Sequence, residues 1–331
     1  MTHLRSSQVG MGLPRLLVMP TATMRTLSVD AISGPRSAIP RTVLLCLKET
    51  RPAVLVAFQL RYLAGVALAL GPATVSGALP VIQAALGSLA WSCAIVYTYL
   101  YNGCMDCPED RINGSTRPIA SGRLSPRTAL AVARAAAVAA LLLSAGAGAG
   151  TLLLCAAMLL LGHGYSAPRT AWKNNTPAAM AVVFCSGLLT YAAGPVALGV
   201  PPHTPALLLT ALVMSLWMAL VGAVVKDFSD IEGDTAAGRR TWAVTLGERR
   251  TGVLVAAGAC LVGGGFAAGA ARWTPQLLPT AGVVLTGALV LAATVLTVRA
   301  ADPRERRRRP YRVFMGTQLC AHLSLIGQAA V

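Results

Sequence analysis

Residues 81–110 read VIQAALGSLAWSCAIVYTYLYNGCMDCPED. More than twenty uncharged, mostly apolar residues run straight into Asp106, Glu109 and Asp110. An apolar run of about 20 residues is what a helix needs to cross a hydrocarbon core about 30 Å thick. Acids at the rim of such a run need an explanation, and the rest of the chain supplies it.

The chain has 331 residues, 55% of them hydrophobic and only 12% charged, with mean hydropathy +0.63. Soluble globular domains carry about 25% charged residues, so the composition is that of a polytopic membrane protein. Nine apolar segments recur, at about 53–71, 81–103, 129–147, 149–165, 177–199, 205–226, 252–271, 277–298 and 311–330. They predict an all-α protein of about nine transmembrane helices around a central cavity open to the cytoplasmic side. Pro/Gly-rich turns at 72–80 and 200–204 separate two of the pairs.

The net charge of +16 is distributed by side. Apart from Arg61, Arg134, Lys226 and Arg272, every Lys and Arg falls in residues 1–52 or in the loops after the second, fourth, sixth and eighth segments. Cytoplasmic loops are the ones enriched in Lys and Arg. The alternation therefore predicts an integral, multi-pass protein with a cytoplasmic N-terminus. The basic run Arg304–Arg309 reads as a topology anchor in contact with anionic membrane lipid, and no nucleic-acid partner is expected. Residues 1–45 are expected to form a basic, disordered tail, with 46–331 the nine-helix domain; the tail's composition also overlaps that of a transit peptide. The single CxxC, Cys104 to Cys107, has no second pair or suitably spaced histidines to make a zinc site.

Asn102, Asp106 and Asp110 are spaced i, i+4, i+8, one face of a helix. A second group ends the sixth segment, KDFSDIEGD, with Asp227, Asp230 and Asp234 spaced i, i+3, i+7. More than half of the chain's 12 acids lie in these two clusters, both at predicted cytoplasmic ends. Carboxylates gathered so closely repel unless a cation lies among them. Mg2+ binds through one or two carboxylates plus substrate phosphates, so two acidic clusters around one cavity suggest Mg2+ carrying a phosphate or diphosphate. Arg117, Lys173 and Lys226 lie in the same regions and suit the remaining phosphate oxygens. Glu109 is about 100° round a helix from Asp110; it is expected to face the loop and pair with Arg111 or Arg123.

These elements resemble those of the UbiA family of intramembrane prenyltransferases. NGCMDCPEDRINGSTRPIASGRLSP, from Asn102, is similar to the family's first acidic element and its trailing RP and SG-x-LS; KDFSDIEGDTAAGRRTWAVTLG, from Lys226, is similar to the second. GYSAPRTAWKNN, from Gly164, is similar to the stretch after the fourth span. The resemblance covers roughly residues 45–331. It implies that Asn102, Asp106, Asp110, Asp230 and Asp234 hold two Mg2+ ions on an isoprenyl diphosphate, surrounded by Asp227, Lys226, Arg117 and Lys173. It places Tyr165 near the allylic carbon and Arg51 toward the acceptor.

The reaction implied is Mg2+-dependent transfer of a prenyl group to an aromatic or other lipophilic acceptor, with release of diphosphate. The residue types suit it: metals and cationic clamps neutralise the departing diphosphate, and a helix-lined cavity keeps water from the carbocation. His163 either assists deprotonation or is a helix-end histidine. The alternative is a terpene cyclase on the same scaffold, which begins with the same ionisation and uses no acceptor. Transporters, with sites near the midplane between repeats, fit less well, because here the acids gather at one face.

Overall fold

The computed structural model describes residues 38–71, 77–299 and 301–329. The compact unit runs Arg41–Val331. Residues 1–37, the greater part of the expected tail, and 72–76 of the expected turn lie outside the described residues. The tail boundary expected at residue 45 falls inside a helix, α1 (Ala38–Glu49). At 12 residues, with Arg41, Lys48 and Glu49 in it, it is too short and too charged to read as a span.

Then follow α2 (Pro52–Leu70), α3 (Ala78–Met105), α4 (Cys107–Ile112), α5 (Pro126–Ala147), α6 (Ala149–Ser166), α7 (Thr176–Ala197) and α8 (Pro205–Leu216). The starts of α5, α7 and α8 share one local logic. Ser125, Asn175 and Thr204 each accept a hydrogen bond from the backbone N–H three residues on, and a proline sits in the first turn, where its missing N–H does no harm. Gly148 at φ 118 divides α5 from α6, a backbone value that a side chain would strain. α8 runs through a π-helical stretch, Trp217–Gly222, into α9 (Ala223–Val225). After α10 (Ile231–Ala236) and α11 (Trp242–Thr245) come α12 (Gly247–Trp273), α13 (Leu278–Val295), α14 (Arg304–Arg307) and α15 (Arg309–Ala329).

Among the described residues eight segments are long and apolar enough to span a membrane, the sixth being Pro205–Ser229. Leu142, Leu153, Leu160 and Leu261 are 70–72% exposed, as lipid-facing side chains should be in a multi-pass protein. Of the nine expected segments eight qualify by length and hydropathy; the ninth is present as the helix α15, which is more polar. Its polar residues are turned inward: Gln318 bonds Arg61, His322 bonds Tyr191, and Gln328 bonds Thr280 and Ser324. α15 is nevertheless part of the bundle. The long helices touch their neighbours in chain order, and α15 packs on both α13 and α2, closing a ring.

Across the ring α2 and α7 meet at two glycines. A Cβ on Gly65 would collide with the Tyr191 carbonyl, and one on Gly194 would lie 2.6 Å from the Tyr62 carbonyl oxygen. Small residues at such crossings let backbones pack closely in a bilayer. Gly65→Val is therefore expected to destabilise the fold by about 1–3 kcal/mol through overpacking, read as a lower melting temperature in detergent. A wild-type melt would show that α2 and α7 do not meet here.

Candidate active site

The two acidic segments are not the continuous helices their spacing suggests. α3 stops at Met105, Asp106 takes φ −90, ψ 0, and α4 restarts at Cys107. In the second segment a single 3-10 turn, Asp227–Ser229, is followed by Asp230 at φ −122 before α10 begins. Both breaks re-aim the carboxylates. Asn102, Asp106 and Asp110 from one side, and Asp227, Asp230 and Asp234 from the other, line one cavity of about 200 Å³. Arg51, Arg117, Tyr165, Lys173 and Lys226 line it too, so the cavity brings together every site residue expected from sequence.

Backbone contacts stitch the segments together. The Gly233 N–H donates to Asn113 Oδ1 at 2.8 Å, joining α10 to the end of α4. A Cβ at Gly233 would lie 2.7 Å from the Glu109 carbonyl oxygen, so only glycine permits that approach. The Arg240 N–H donates to the Asn174 carbonyl at 2.6 Å, tying the Lys173 turn to the loop after α10.

Arg239 is the centre of the ion pairs. It donates to Asp106 at 2.6 Å, Glu109 at 3.1 Å and Asp234 at 3.0 Å, bridging the two acidic segments. Lys173 also pairs with Asp106. Arg117 pairs with Asp110 at 2.8 Å, Lys226 with Asp227 at 3.2 Å, and Arg304 with Asp230 at 3.1 Å. Glu109 therefore does not face the loop or pair with Arg111 or Arg123. The break at Asp106 resets the helical phase and turns Glu109 into the cavity.

The charges are not equivalent. Burial works against ionised Asp106, but Lys173 and Arg239 outweigh it and hold its carboxyl below the usual range. At Asp110 burial wins over Arg117 and the carboxyl is raised. Burial and then the neighbouring Asp227 push Asp234 up to about 7. At Asp110 and Asp234 the neighbouring positive charge does not offset burial, a setting that an added cation relieves.

Among the described residues no three His, Cys, Asp or Glu side chains are already gathered into a metal cage. The donor chemistry still fits Mg2+. Asp106, Asp110, Asp230 and Asp234 each offer carboxylate oxygens to one cavity, and hard oxygen donors that leave room for water and phosphate are what this ion takes.

Arg51 precedes Pro52 with φ 61, ψ 88, in left-handed space that a residue before proline rarely enters. Tyr165 lies with its ring 5.7 Å from the Lys226 ammonium, and Asn102 donates to Ser166 at 3.1 Å. His163 is not among the cavity residues; its ring bonds the Tyr97 hydroxyl at 3.0 Å and stacks on Tyr101.

Sequence reasoning missed two participants. Arg239 was read only as part of a basic loop, and nothing in GRRT separates it from Arg240, which does not line the cavity. Glu49 lies outside both acidic clusters, yet it is fully buried, pairs with Arg117 at 2.7 Å and accepts from the Ile119 N–H at 3.0 Å. Gly103 makes room for that pair, since a Cβ there would lie 3.0 Å from Arg117 Nη2. Glu49→Ala leaves Arg117 short of one partner and the Ile119 N–H with none. It is expected to cost about 2–4 kcal/mol of stability, with faster proteolysis of the 113–125 loop as the readout; unchanged cleavage there would contradict this role.

Known proteins resemble this chain along most of its length. A 2-acylphloroglucinol 4-prenyltransferase of Humulus lupulus is 31% identical over 182 residues, 53% of this chain. The match spans 44% of the hop protein, less than half its length. A digeranylgeranylglyceryl phosphate synthase of Methanoculleus marisnigri is 29% identical over 216 residues, 65% of this chain and 72% of that relative. A UbiA homologue from Archaeoglobus fulgidus, solved with GPP and Mg2+, shares the fold with a TM-score of 0.61 at 19% identity, over 87% of this chain and 100% of its own. The matched sequence, residues 60–317, contains both acidic segments and all eight spans except the first turns of α2, and on that match the chain belongs to the UbiA prenyltransferase family.

Proposed function

We propose that the protein transfers a prenyl group from an isoprenyl diphosphate to an aromatic or other lipophilic acceptor and releases diphosphate, with Mg2+ as cofactor. One observation carries this reading: a single cavity has carboxylates from both acidic segments and the cations Arg117, Lys173 and Lys226 at one end, and an apolar wall at the other. Val54, Phe58, Met158, Val182, Met218 and Phe314 contribute to that wall. A molecule with a diphosphate head and a hydrocarbon tail matches the gradient. The names of the hop and archaeal relatives agree with prenyl transfer to a lipophilic acceptor.

Mg2+, held through Asn102, Asp106, Asp110, Asp230 and Asp234, would neutralise the diphosphate as charge builds on its bridging oxygen. Arg117, Lys173 and Lys226 clamp the non-bridging oxygens, and Asp227 holds Lys226 in place at 3.2 Å. The allylic C–O bond breaks with its electron pair leaving on diphosphate. A bond forms from the acceptor's nucleophilic atom to the allylic carbon, and the acceptor then loses a proton. The Tyr165 ring offers its negative face to the passing cation. The apolar wall excludes water, which would otherwise capture that cation.

The test incubates the purified protein with Mg2+ and C10, C15 or C20 diphosphates, with and without phenolic acceptors. Prenylated phenol that disappears with EDTA and returns with Mg2+ is the expected result. A cyclic hydrocarbon or terpene alcohol formed equally well without acceptor would instead identify a cyclase, and no consumption of diphosphate would overturn both.

We also assign the cavity end to the cytoplasm and the N-terminus with it. Arg117 and Arg239 share the cavity, whereas Thr204 bonds the Leu68 carbonyl near the far end of α2, about 25 Å away along that helix. Single cysteines in the 117 and 239 loops are expected to label from the cytoplasmic side and one at 202 from the other. Labelling of the 117 and 239 loops from opposite sides would end this assignment.

A further inference from the structure

Arg61 lies nine residues into α2, about 14 Å along the helix from its cavity-mouth end. It is 2% exposed and lines the cavity among apolar side chains. Its one hydrogen bond among the described residues runs from Nη2 to Gln318 Oε1 of α15, at 2.5 Å. The guanidinium also rests 4.9 Å from the Phe58 ring centroid. Nε and Nη1 are buried and have no partner among the described residues.

A cation at this depth is strongly unfavourable unless something answers its charge. An arginine kept for structure alone would have its terminal nitrogens taken up by the fold, as Arg239 has both Nη atoms on carboxylates and leaves only Nε open. Arg61 instead has an amide on one edge and open donors on the remainder, facing a cavity. The amide itself is oriented from its other end, where Gln318 Nε2 donates to Met315 Sδ at 3.0 Å. A hydrocarbon chain seated there would leave the charge unanswered and dry. The diphosphate has its own cations at the opposite end of the cavity.

We propose that Arg61 and Gln318 form a subsite for an oxyanion, a carboxylate or a phenolate, carried by an otherwise apolar acceptor. This assignment rests on the transfer reading above and adds the acceptor's chemical class. The guanidinium supplies the counter-charge and a planar set of donors suited to a carboxylate, and Phe58 offers an aromatic ring for a flat ligand to pack against.

The test is equilibrium binding of benzoate and of benzamide to the full chain in lipid nanodiscs, followed by calorimetry and by shifts in melting temperature. The wild type is expected to bind benzoate at least about tenfold more tightly than benzamide. Arg61→Met should abolish that preference. Gln318→Glu should abolish it as well, since it sets a carboxylate against Arg61, and it should raise the ligand-free melting temperature. If Arg61→Met does not fold, Gln318→Glu decides the matter alone. Equal binding of the two probes by wild type, or a benzoate preference that survives either substitution, would overturn the subsite. The two readings fail separately. Selective benzoate binding with no prenylation of any phenol would refute the transferase and leave the subsite standing, whereas prenylation of phenols with equal probe binding would do the reverse.

Discussion

Asp110→Ala and Asp234→Ala are each expected to lower turnover by at least about a hundredfold, the scale of losing one preorganised electrostatic element at a reacting charge. The two carboxylates come from opposite sides of one cavity and share no cationic partner: Asp110 meets Arg117, Asp234 meets Arg239. A loss at both therefore tests whether both segments serve one reaction. Asp106→Ala and Asp230→Ala should fall in the same range. The measurement is diphosphate released from geranyl diphosphate under saturating Mg2+. A second readout is independent of turnover. Mg2+ should raise the melting temperature of the wild type and have little effect on Asp110→Ala or Asp234→Ala. Near-normal turnover in both Asp110→Asn and Asp234→Asn would mean that these acids do not hold the metal.

The second large effect is expected at Arg239, and it falls on stability. Arg239→Met leaves Asp106, Glu109 and Asp234 facing one another, with Lys173 paired to Asp106 and Lys226 acting on Asp234. Removing one partner from buried ion pairs costs about 3–5 kcal/mol, because the charges left behind stay desolvated. Arg239 is 9% exposed and Asp234 2%, so solvent cannot take over. The melting temperature in metal-free buffer should drop sharply, and Arg239→Lys should recover only part of it, since an ammonium cannot reach three carboxylates as a guanidinium fork does. Mg2+ with geranyl diphosphate should restore more stability to Arg239→Met than it adds to the wild type, because the added cation answers the same carboxylates. An unchanged melting temperature in metal-free buffer would show that Arg239 is not the bridge between the two segments.

The membrane character was legible because it depends on composition over long windows, and so were the limits of most spans. The split between α5 and α6 at Gly148 matches the two apolar segments expected on either side of it. The ninth segment is present as the helix α15, but its polar residues, taken up by partners on α2, α7 and α13, keep it less apolar than the other eight. The short helix α1 was missed for a different reason. It is neither long nor apolar enough to stand out, and its value lies in delivering one buried glutamate to Arg117.

The acidic segments are the instructive case. Spacing correctly grouped Asn102, Asp106 and Asp110, and likewise Asp227, Asp230 and Asp234, but it assumed unbroken helices. For residues four apart, a break that keeps the chain turning still leaves them near one another. For Glu109, whose expected direction depended on an uninterrupted 100° per residue, the break at Asp106 reversed the outcome.

By itself, then, the sequence determined that the chain is a bundle of membrane helices and which carboxylates gather at one end, since both follow from residue type and short-range spacing. The tertiary structure alone decided which cations answer those carboxylates and which residues lie deep in the cavity. Arg239 and Arg240 are neighbours of one kind, and only one reaches across to α3 and α4; Arg61 and Gln318 are 257 positions apart. Pairings of that sort are set by how helices close into a ring, and no local pattern in the chain encodes them.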